Sequence, residues 1–160
     1  MISLHLPTLN DGYAVHRLIK SCPPLDVNSA YCNFLQSGHF ARTSILAKAG
    51  DQCVGFISGY VKPEDANTLF IWQVAVNDSA RGKGLASQML DSLLQRPNLH
   101  SVQYLETTIT AENKASWALF TRLARRLEAE LNKIDYLDKQ THFQGDHESE
   151  SLVRIGPFNA

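Results

Sequence analysis

The stretch that decides the fold is LFIWQVAVNDSARGKGLA, residues 69–86. Its first eight residues are almost wholly apolar, which predicts a strand buried on both faces. The strand leads into a turn spaced by Gly82 and Gly84, and a helix is expected to begin near Gly84. Because the N–H groups of such a turn and of the first helical turn point outward, the segment predicts a cradle for a pyrophosphate. An ordinary strand–turn–helix connection with glycines kept for packing is the alternative.

The patterns on either side of this stretch predict a mixed α/β domain. The predicted elements are a strand at 2–6, a helix ending at 22, a helix at 28–36, strands at 44–47 and 53–57, the strand at 69–76, a helix ending before 97, a strand at 102–109, a helix at 111–131 and a strand at 152–155. Asp78 or Ser79 is expected to cap the helix after the turn. The order β-α-α-β-β-β-α-β-α-β predicts one sheet with helices on both faces. No linker divides residues 1–160, so a single domain is expected.

Composition excludes several classes of protein. The chain has 160 residues, of which 44% are hydrophobic and 19% charged, so it is not a disordered chain. A formal net charge of -1 argues against a protein that binds nucleic acid through many phosphate contacts. No membrane span or secretory signal is visible. Cys22, Cys32 and Cys53 show no metal-like spacing, which indicates reduced thiols and a cytoplasmic protein.

The loop after the buried strand carries a family resemblance. Arg81, Gly84 and Ala86 fill the fixed positions of the pattern Q/R-x-x-G-x-G/A, by which the chain resembles the GNAT superfamily of acyl-CoA N-acetyltransferases. The likeness covers nearly the whole chain and implies a mixed, mostly antiparallel sheet. It also implies acetyl-CoA as cosubstrate, with no metal. The residues implied for its binding are Val74, Val76, Arg81, Gly82, Lys83, Gly84, Leu85, Ala86 and Asn113.

The chain departs from this superfamily at one position. Many members place a Tyr seven residues after the Asn that matches Asn113, where it protonates the departing thiolate. Here that position is Phe120, which cannot donate a proton. Another group, the reaction intermediate or water must then supply the proton. A non-catalytic acyl-CoA-binding regulatory domain is an alternative that this Phe leaves open.

A closer resemblance lies in five separated segments, 22–33, 70–76, 105–110, 142–150 and 154–158. Together they are similar to those of the L-2,4-diaminobutyrate acetyltransferase family of ectoine biosynthesis. This resemblance implies acetyl transfer to the γ-amine of L-2,4-diaminobutyrate, giving N4-acetyl-2,4-diaminobutyrate. An acetyltransferase for another amine or for a peptide is the alternative. A small-molecule partner and a possible homodimer are expected, with no nucleic acid and no membrane.

A pocket for a short diamino acid needs acidic or acceptor groups and an aromatic wall. The candidates are Asp26, Tyr31, Trp72, Glu106, His147 and Glu150. Each has a structural alternative: Asp26 as a helix cap, Tyr31 as half-buried packing, Trp72 as core and Glu106 as a carboxylate at a strand edge. Trp72 is expected to share one strand face with Phe70, Val74 and Val76.

The general base is left open among Asp26, Glu106, His147 and Glu150. The pair His147 and Glu150 is favoured, since an imidazole titrates near the working pH and a carboxylate can orient it. His142, His147 and Glu150 do not have a further ligand at a spacing typical of zinc, so no metal is expected.

Overall fold

The computed structural model describes residues 1–159. The strands are β1 (Ile2–His5), β2 (Ile45–Ala49), β3 (Gln52–Lys62), β4 (Asp65–Val76), β5 (Tyr104–Thr110), β6 (Leu131–Leu137) and β7 (Glu150–Ile155). The α-helices are α1 (Gly12–Lys20), α2 (Ala30–Ser37), α3 (Leu85–Leu94) and α4 (Lys114–Arg126). The sheet order is β1-β2-β3-β4-β5-β7-β6. β4 and β5 pair in parallel, whereas β1–β2, β2–β3, β5–β7 and β6–β7 are antiparallel, so the predicted mixed, mostly antiparallel sheet is confirmed.

The internal contacts of the chain fall into two compact units. Unit 1 consists of Met1–Tyr60 and Ile71–His100, and unit 2 consists of Val61–Phe70 and the chain from Ser101 onward. β3 and β4 each contribute residues to both.

In unit 1, helices cover both faces of the sheet, as predicted. Phe56 of β3 packs in a buried cluster with Val15 and Leu18 of α1. The preceding residue, Gly55, faces Met89 of α3 so closely that an added Cβ would come within 2.9 Å of Met89 Cε. Because successive strand residues point to opposite faces, α1 and α3 lie on opposite sides of β3.

The face pattern predicted for β4 is wrong beyond Trp72. Trp72 packs edge-on against Tyr60, which lies on the same face of β3 as Phe56. Ala75 belongs to the same cluster as Phe56, so Trp72 and Ala75 point to one side although they are three residues apart. Strict alternation must therefore be interrupted between them, as at a β-bulge. Gln73 lies within the interruption, and its backbone N–H donates to the buried Ser58 hydroxyl at 3.1 Å.

In unit 2, register places the side chains of β5 and β7. Glu106 lies opposite Arg154, and Thr110 lies opposite Glu150. Paired residues share a face, so Glu106, Arg154 and Glu150 stand on one side of these strands. The opposite side, which carries Leu105, Ile109 and Val153, is buried, as are Leu119, Phe120, Leu123 and Ala124 of α4.

The sequence prediction missed β6. It extended a helix to residue 131, whereas α4 ends at Arg126 and Glu128 takes a left-handed conformation with φ 52°. Glycine ordinarily marks such a stop, and here a glutamate occupies the position, so the signal was absent. β6 is the last strand in the sheet order and is largely exposed, with Ile134 and Tyr136 projecting into solvent. Its apolar residues therefore resemble a helix face as closely as a strand.

Two further boundaries differ from the predictions. β3 and β4 extend into the polar segment 62–67 that was predicted to be a loop, which leaves a turn of two residues. Asp78 and Ser79 lie in a short 3-10 helix that Asn77 caps, so neither caps α3. The N-cap of α3 is Gly84.

Candidate active site

The glycine loop (residues 81–84) presents bare backbone at the start of α3. Gly82 and Gly84 have φ of 76° and 73°, and a Cβ built on either meets nothing within 4 Å. The first helical bond runs from Gln88 N–H to Gly84 C=O at 3.0 Å. The N–H groups of residues 85–87 precede it and are left to an outside acceptor, at the positive end of the helix dipole. The loop therefore suits a phosphate-bearing ligand that approaches the backbone closely.

Arg81, the first residue of this loop, bonds to two residues that precede it. Its Nε donates to the Val76 carbonyl oxygen at 3.0 Å, and its NH1 lies 2.7 Å from Asp78 Oδ1. The side chain thus ties the turn back onto the end of β4, while the neighbouring Lys83 is exposed.

The predicted substrate residues of unit 1 occupy different environments. Trp72 is 38% exposed and makes edge contacts with Tyr60 (5.9 Å between centroids) and Phe40 (6.3 Å). Asp26 is exposed, and its carbonyl oxygen accepts a hydrogen bond from Gln73 Nε2 at 3.0 Å. This bond connects the loop before α2 with the residue next to Trp72. Tyr31, in the first turn of α2, is 71% exposed, and the structure does not place it against that group.

Glu106 is the most buried of the candidates, at 3% exposure. Lys62 Nζ donates to its Oε1 at 2.8 Å, and Arg154 NH1 donates to its Oε2. The hydrogen bond to Glu106 raises the pKa of Lys62. The Arg154 guanidinium also stacks on the Tyr104 ring at 3.7 Å. Two cations thus bind both oxygens of this carboxylate.

His147 and Glu150 lie together, as predicted, on and just after the histidine loop (residues 138–149). His147 Nδ1 is 2.7 Å from the Glu148 carbonyl oxygen and 3.7 Å from Glu150 Oε2. A carbonyl oxygen only accepts, so Nδ1 carries the hydrogen and Nε2 is the nitrogen that takes a proton. The His147 ring also packs on Phe143 at 4.6 Å.

The structure separates this pair from Glu106. Glu150 lies opposite Thr110, which is four residues beyond Glu106 on β5. At about 3.4 Å per residue, the two carboxylate-bearing positions stand roughly 14 Å apart along the sheet.

At the start of α4, Asn113 acts as the helix cap: its Oδ1 accepts from Ser116 N–H at 3.1 Å. This bond leaves the Asn113 amide NH₂ group as the part that suits a ligand contact. Phe120 is 2% exposed in α4, so its ring is part of the core.

Other titratable groups give little support for a metal or a nucleophilic thiol. Within residues 1–159, no three His, Cys, Asp or Glu side chains cluster in a way that would hold a metal ion. Burial raises the pKa of the Cys53 thiol to about 11 and also raises that of Cys32. Both thiols therefore stay protonated near neutral pH. In the described part of the chain, no helix is long and apolar enough to cross a bilayer.

Sequence reasoning missed several polar residues near these groups. Lys62 and Arg154, which hold Glu106, are ordinary surface residues in sequence and become informative only through register. Gln73 was visible as the one amide inside an apolar strand, a signal that was available but not used.

Comparison with known proteins decides the family. Residues 13–124 match the acetyltransferase (GNAT) family. This chain belongs to the GNAT family. The chain is 53% identical over 160 residues to an L-2,4-diaminobutyric acid acetyltransferase of Methylotuvimicrobium alcaliphilum, covering 100% of the chain and 93% of that protein. It is 54% identical over 149 residues to the protein of that name from Vibrio cholerae, covering 93% and 86% respectively.

Among solved structures, this GNAT chain is similar to the diaminobutyrate acetyltransferase EctA from Paenibacillus lautus in complex with L-2,4-diaminobutyric acid and coenzyme A. The TM-score is 0.95 and the identity 35%, over 100% of this chain and 97% of that one. A ribosomal-protein-S18-alanine N-acetyltransferase from Escherichia coli, at 16% identity and a TM-score of 0.74, shares the fold alone. The predicted family and fold are confirmed.

Proposed function

We propose that this chain transfers the acetyl group of acetyl-CoA to the γ-amine of L-2,4-diaminobutyrate, giving N4-acetyl-2,4-diaminobutyrate for ectoine biosynthesis. The observation that carries the proposal is the 35% identity and TM-score of 0.95, over the whole chain, to an enzyme whose structure holds that amino acid and coenzyme A. Identity above 50% to two proteins named for the same activity adds independent support.

The reaction removes two protons from the nitrogen and returns one to the sulfur. The γ-ammonium loses one proton, its nitrogen attacks the thioester carbon to form the C–N bond and then loses a second proton, and the C–S bond breaks to release a thiolate. The thiolate then takes a proton, so the overall products are the amide, the CoA thiol and one proton. Acetyl-CoA supplies the activated acyl group, and the chain's own residues bind the two substrates and handle the protons.

The cofactor half of the proposal rests on the glycine loop. The backbone N–H groups of residues 85–87 and the open space at Gly82 and Gly84 fit a pyrophosphate, with Lys83 and Ala86 at its edge. Val74 and Val76 are assigned to the pantetheine arm, because within the described residues the ladder of β4 with β5 ends at Phe70 while β4 runs on to Val76. Asn113 is assigned to the same ligand through its amide NH₂.

We assign His147 as the general base and Glu150 as the group that orients it. The hydrogen bond of Nδ1 to the Glu148 carbonyl fixes the tautomer in which Nε2 is basic. Glu106 is the weaker candidate, because Lys62 and Arg154 already bind both of its oxygens. Asp26, Tyr31 and Trp72 remain assigned to substrate binding.

Phe120 does not protonate the leaving thiolate, because its buried ring has no proton to donate. The thiolate then receives its proton from the substrate nitrogen or from solvent. Nothing else in unit 2 is assigned to this step.

The test is turnover by the purified chain with acetyl-CoA and a panel of amines, following release of the CoA thiol. NMR should show acetylation at the γ-nitrogen of diaminobutyrate. One extra methylene costs about 1–3 kcal/mol in an apolar-walled pocket, so ornithine should react roughly 10- to 150-fold less efficiently and lysine less again. Acetyl-CoA binding without turnover of any amine would instead favour a regulatory domain. Mainly α-acetylation, equal rates with lysine, or preference for a peptide would contradict the proposal.

We infer also that the protein is a cytoplasmic homodimer. Three free cysteines suit a reducing compartment, and two-fold dimers are the commonest assembly of soluble proteins. Sedimentation of the purified chain at a monomer mass would contradict the dimer.

A further inference from the structure

A single arginine holds the connection between α2 and β2 (residues 38–44). Arg96 lies two residues beyond the end of α3, and one of its guanidinium nitrogens, NH1, donates to three backbone carbonyl oxygens. These belong to Ala41 at 3.2 Å, Arg42 at 3.0 Å and Ser44 at 2.6 Å. Hydrogen bonds from a charged donor are stronger than those between neutral groups. Arg96 therefore fixes the backbone of residues 41–44.

The guanidinium of Arg96 is partly withdrawn from water. Burial lowers the pKa of Arg96, which means that desolvation disfavours its charged form. An apolar side chain could pack at this position without that penalty. The contribution of the guanidinium therefore lies in the three carbonyl groups that it binds.

The other side of the connection is held by β3. Thr43 Oγ1 donates to the Gly59 carbonyl oxygen at 2.6 Å, and the Gly59 N–H donates to Ser44 Oγ at 3.2 Å. Ser44 itself is buried. Residues 41–44 are thus held between Arg96 on one side and Gly59 on the other.

The residues next to these anchors carry aromatic rings. Phe40 precedes Ala41 in the connection, and Tyr60 follows Gly59 on β3. The Phe40 ring centroid lies 5.9 Å from that of Tyr60 and 6.3 Å from that of Trp72. All three rings are partly exposed, and we call them the aromatic cluster (Phe40, Tyr60 and Trp72). Because contacts between rings favour particular geometries, a shift of Phe40 should change how Trp72 is held.

We propose that Arg96 is a positioning residue for amine binding: it fixes the connection between α2 and β2, holds Phe40 against Trp72, and so sets the ring on which the diamino acid binds. This inference rests on the proposed function, in which Trp72 is assigned to substrate binding. Arg96 acts through the backbone and two rings. Its loss should therefore weaken binding of the amine and leave binding of acetyl-CoA at the glycine loop unchanged.

A double-mutant cycle of Arg96→Met and Phe40→Leu tests whether the arginine acts through the ring. Each single variant should raise the KM for diaminobutyrate about 5- to 30-fold, near the upper range for loss of a contact between a cation and an aromatic face. The kcat and the KM for acetyl-CoA should stay within about two-fold of the wild type. The double variant should lose no more than the weaker-binding single variant, rather than the product of the two losses.

Arg96→Lys is the conservative variant. All three carbonyls bond to one nitrogen of Arg96, and a lysine ammonium is one nitrogen with three donors. Arg96→Lys should therefore keep the KM for diaminobutyrate within about two-fold.

Arg42→Met is the matched control in the same connection. The hydrogen bonds described for Arg42 use its carbonyl oxygen, and its side chain is exposed. The substitution removes a cation but none of these bonds, so neither KM should change. Should Arg96→Met fail to fold, Asn98→Ala takes its place in the cycle, because Asn98 Nδ2 donates to the Arg42 carbonyl oxygen at 3.2 Å.

Fluorine NMR gives a second measurement that needs no turnover. The chain contains two tryptophans, Trp72 and Trp117, so protein labelled with 5-fluorotryptophan should give two resonances, which Trp117→Phe assigns. Arg96→Met should move the Trp72 resonance, as Phe40→Leu does, and leave that of Trp117 in place. General loss of stability would not shift the Trp72 resonance alone in the folded protein.

Losses that multiply in the double variant, or a Trp72 resonance that stays in place in Arg96→Met, would overturn the proposal. A wild-type chain that does not acetylate diaminobutyrate would instead refute the proposed function, and the fluorine measurement would still test the link from Arg96 to Trp72. A wild-type chain that acetylates it, with multiplying losses in the cycle, would refute only this inference.

Discussion

The glycine loop and the histidine loop are both polar turns next to strands, but the first presents backbone groups and the second presents side chains. The glycine loop presents backbone N–H groups that no side chain covers at Gly82 and Gly84, where a left-handed φ favours glycine. The histidine loop presents side chains that its own backbone holds in place: Asp138 Oδ2 accepts from the N–H groups of Gln140 and Thr141 at 2.9 and 2.8 Å. These bonds lower the pKa of Asp138.

The difference teaches which chemistry each loop can provide. Backbone amides and a helix dipole are fixed partial charges that bind an anion at any ordinary pH. An imidazole whose Nδ1 is held by a carbonyl, as that of His147 is, can accept and release a proton at Nε2. Substitutions in the first loop should therefore alter binding, and substitutions in the second should alter rate.

The largest effect is expected for Gly84→Val, with Gly50→Val as its control. Both glycines have positive φ, 73° and 61°, and both face open space, so the two variants carry similar backbone strain of about 1–3 kcal/mol. Only Gly84→Val should abolish acetyl-CoA binding in calorimetric titration, because only there does the branched side chain meet the ligand. Retained affinity, or equal loss in the Gly50 variant, would remove the cradle assignment.

The second effect is expected for His147→Ala, with His142→Ala as its control in the same loop. His142 Nδ1 accepts from the Asp138 N–H at 2.7 Å, a structural bond, so its loss should change kcat little. His147→Ala should lower kcat about 100-fold or more, with partial recovery as rising pH frees more amine. A change in substrate KM alone would show that His147 only binds, and the base would then be Glu106 or Asp26.

A third, smaller effect concerns stability, because Lys62 and Arg154 bind both oxygens of the buried Glu106. Glu106→Gln leaves Lys62 and Arg154 without their shared carboxylate, which should lower the free energy of unfolding by about 1–3 kcal/mol and the melting temperature by several degrees. This is below the usual cost for a buried pair, since both cationic side chains are 36% exposed. A 100-fold loss of kcat with unchanged stability would make Glu106 the base.

The pH dependence of this pair has a definite sign. The pKa of Lys62 is raised in the folded protein, so the stabilisation is complete below the ordinary lysine range and is lost as pH rises through the raised value. Thermal unfolding at neutral and strongly alkaline pH should show this loss in the wild type. Glu106→Gln should flatten it.

The smallest effect is expected for Phe120→Tyr, which restores the residue type common in the superfamily. Phe120 is buried in the core, so a new hydroxyl there lacks an assured partner and should slightly lower stability. Its kcat should stay within about two-fold of the wild type in the thiol-release assay. A large gain in rate would show that the ring does reach the leaving sulfur.

Sequence was sufficient wherever a local signal sets the structure. The apolar strand and the glycine spacing are such signals: β4 ends at Val76 and α3 begins next to Gly84, as the patterns predicted, whereas β4 starts at Asp65 and α4 at Lys114. β6 was missed because a left-handed glutamate, rather than a glycine, ends the preceding helix. Local pattern gives no warning of that choice.

The polar site was only partly predictable, because register and pairing decide it. Sequence grouped Glu106 with His147 and Glu150, whereas pairing across β5 and β7 places it about 14 Å from Glu150. Lys62 and Arg154 could not be linked to Glu106 before the strands were aligned. Tyr31 was selected by resemblance, and its exposure gives no geometric support for that choice.

The interrupted alternation in β4 also limits how the length of this chain can vary. Removing or adding one residue between Trp72 and Ala75 would reverse the face of every later residue of β4. The backbone N–H groups that follow the glycine loop would then point in a different direction. The hairpin tip at Gly50 lies in an exposed turn, where insertions ordinarily do little harm. Homologous chains should therefore differ in length at that turn and keep a constant number of residues from Trp72 to Gly84.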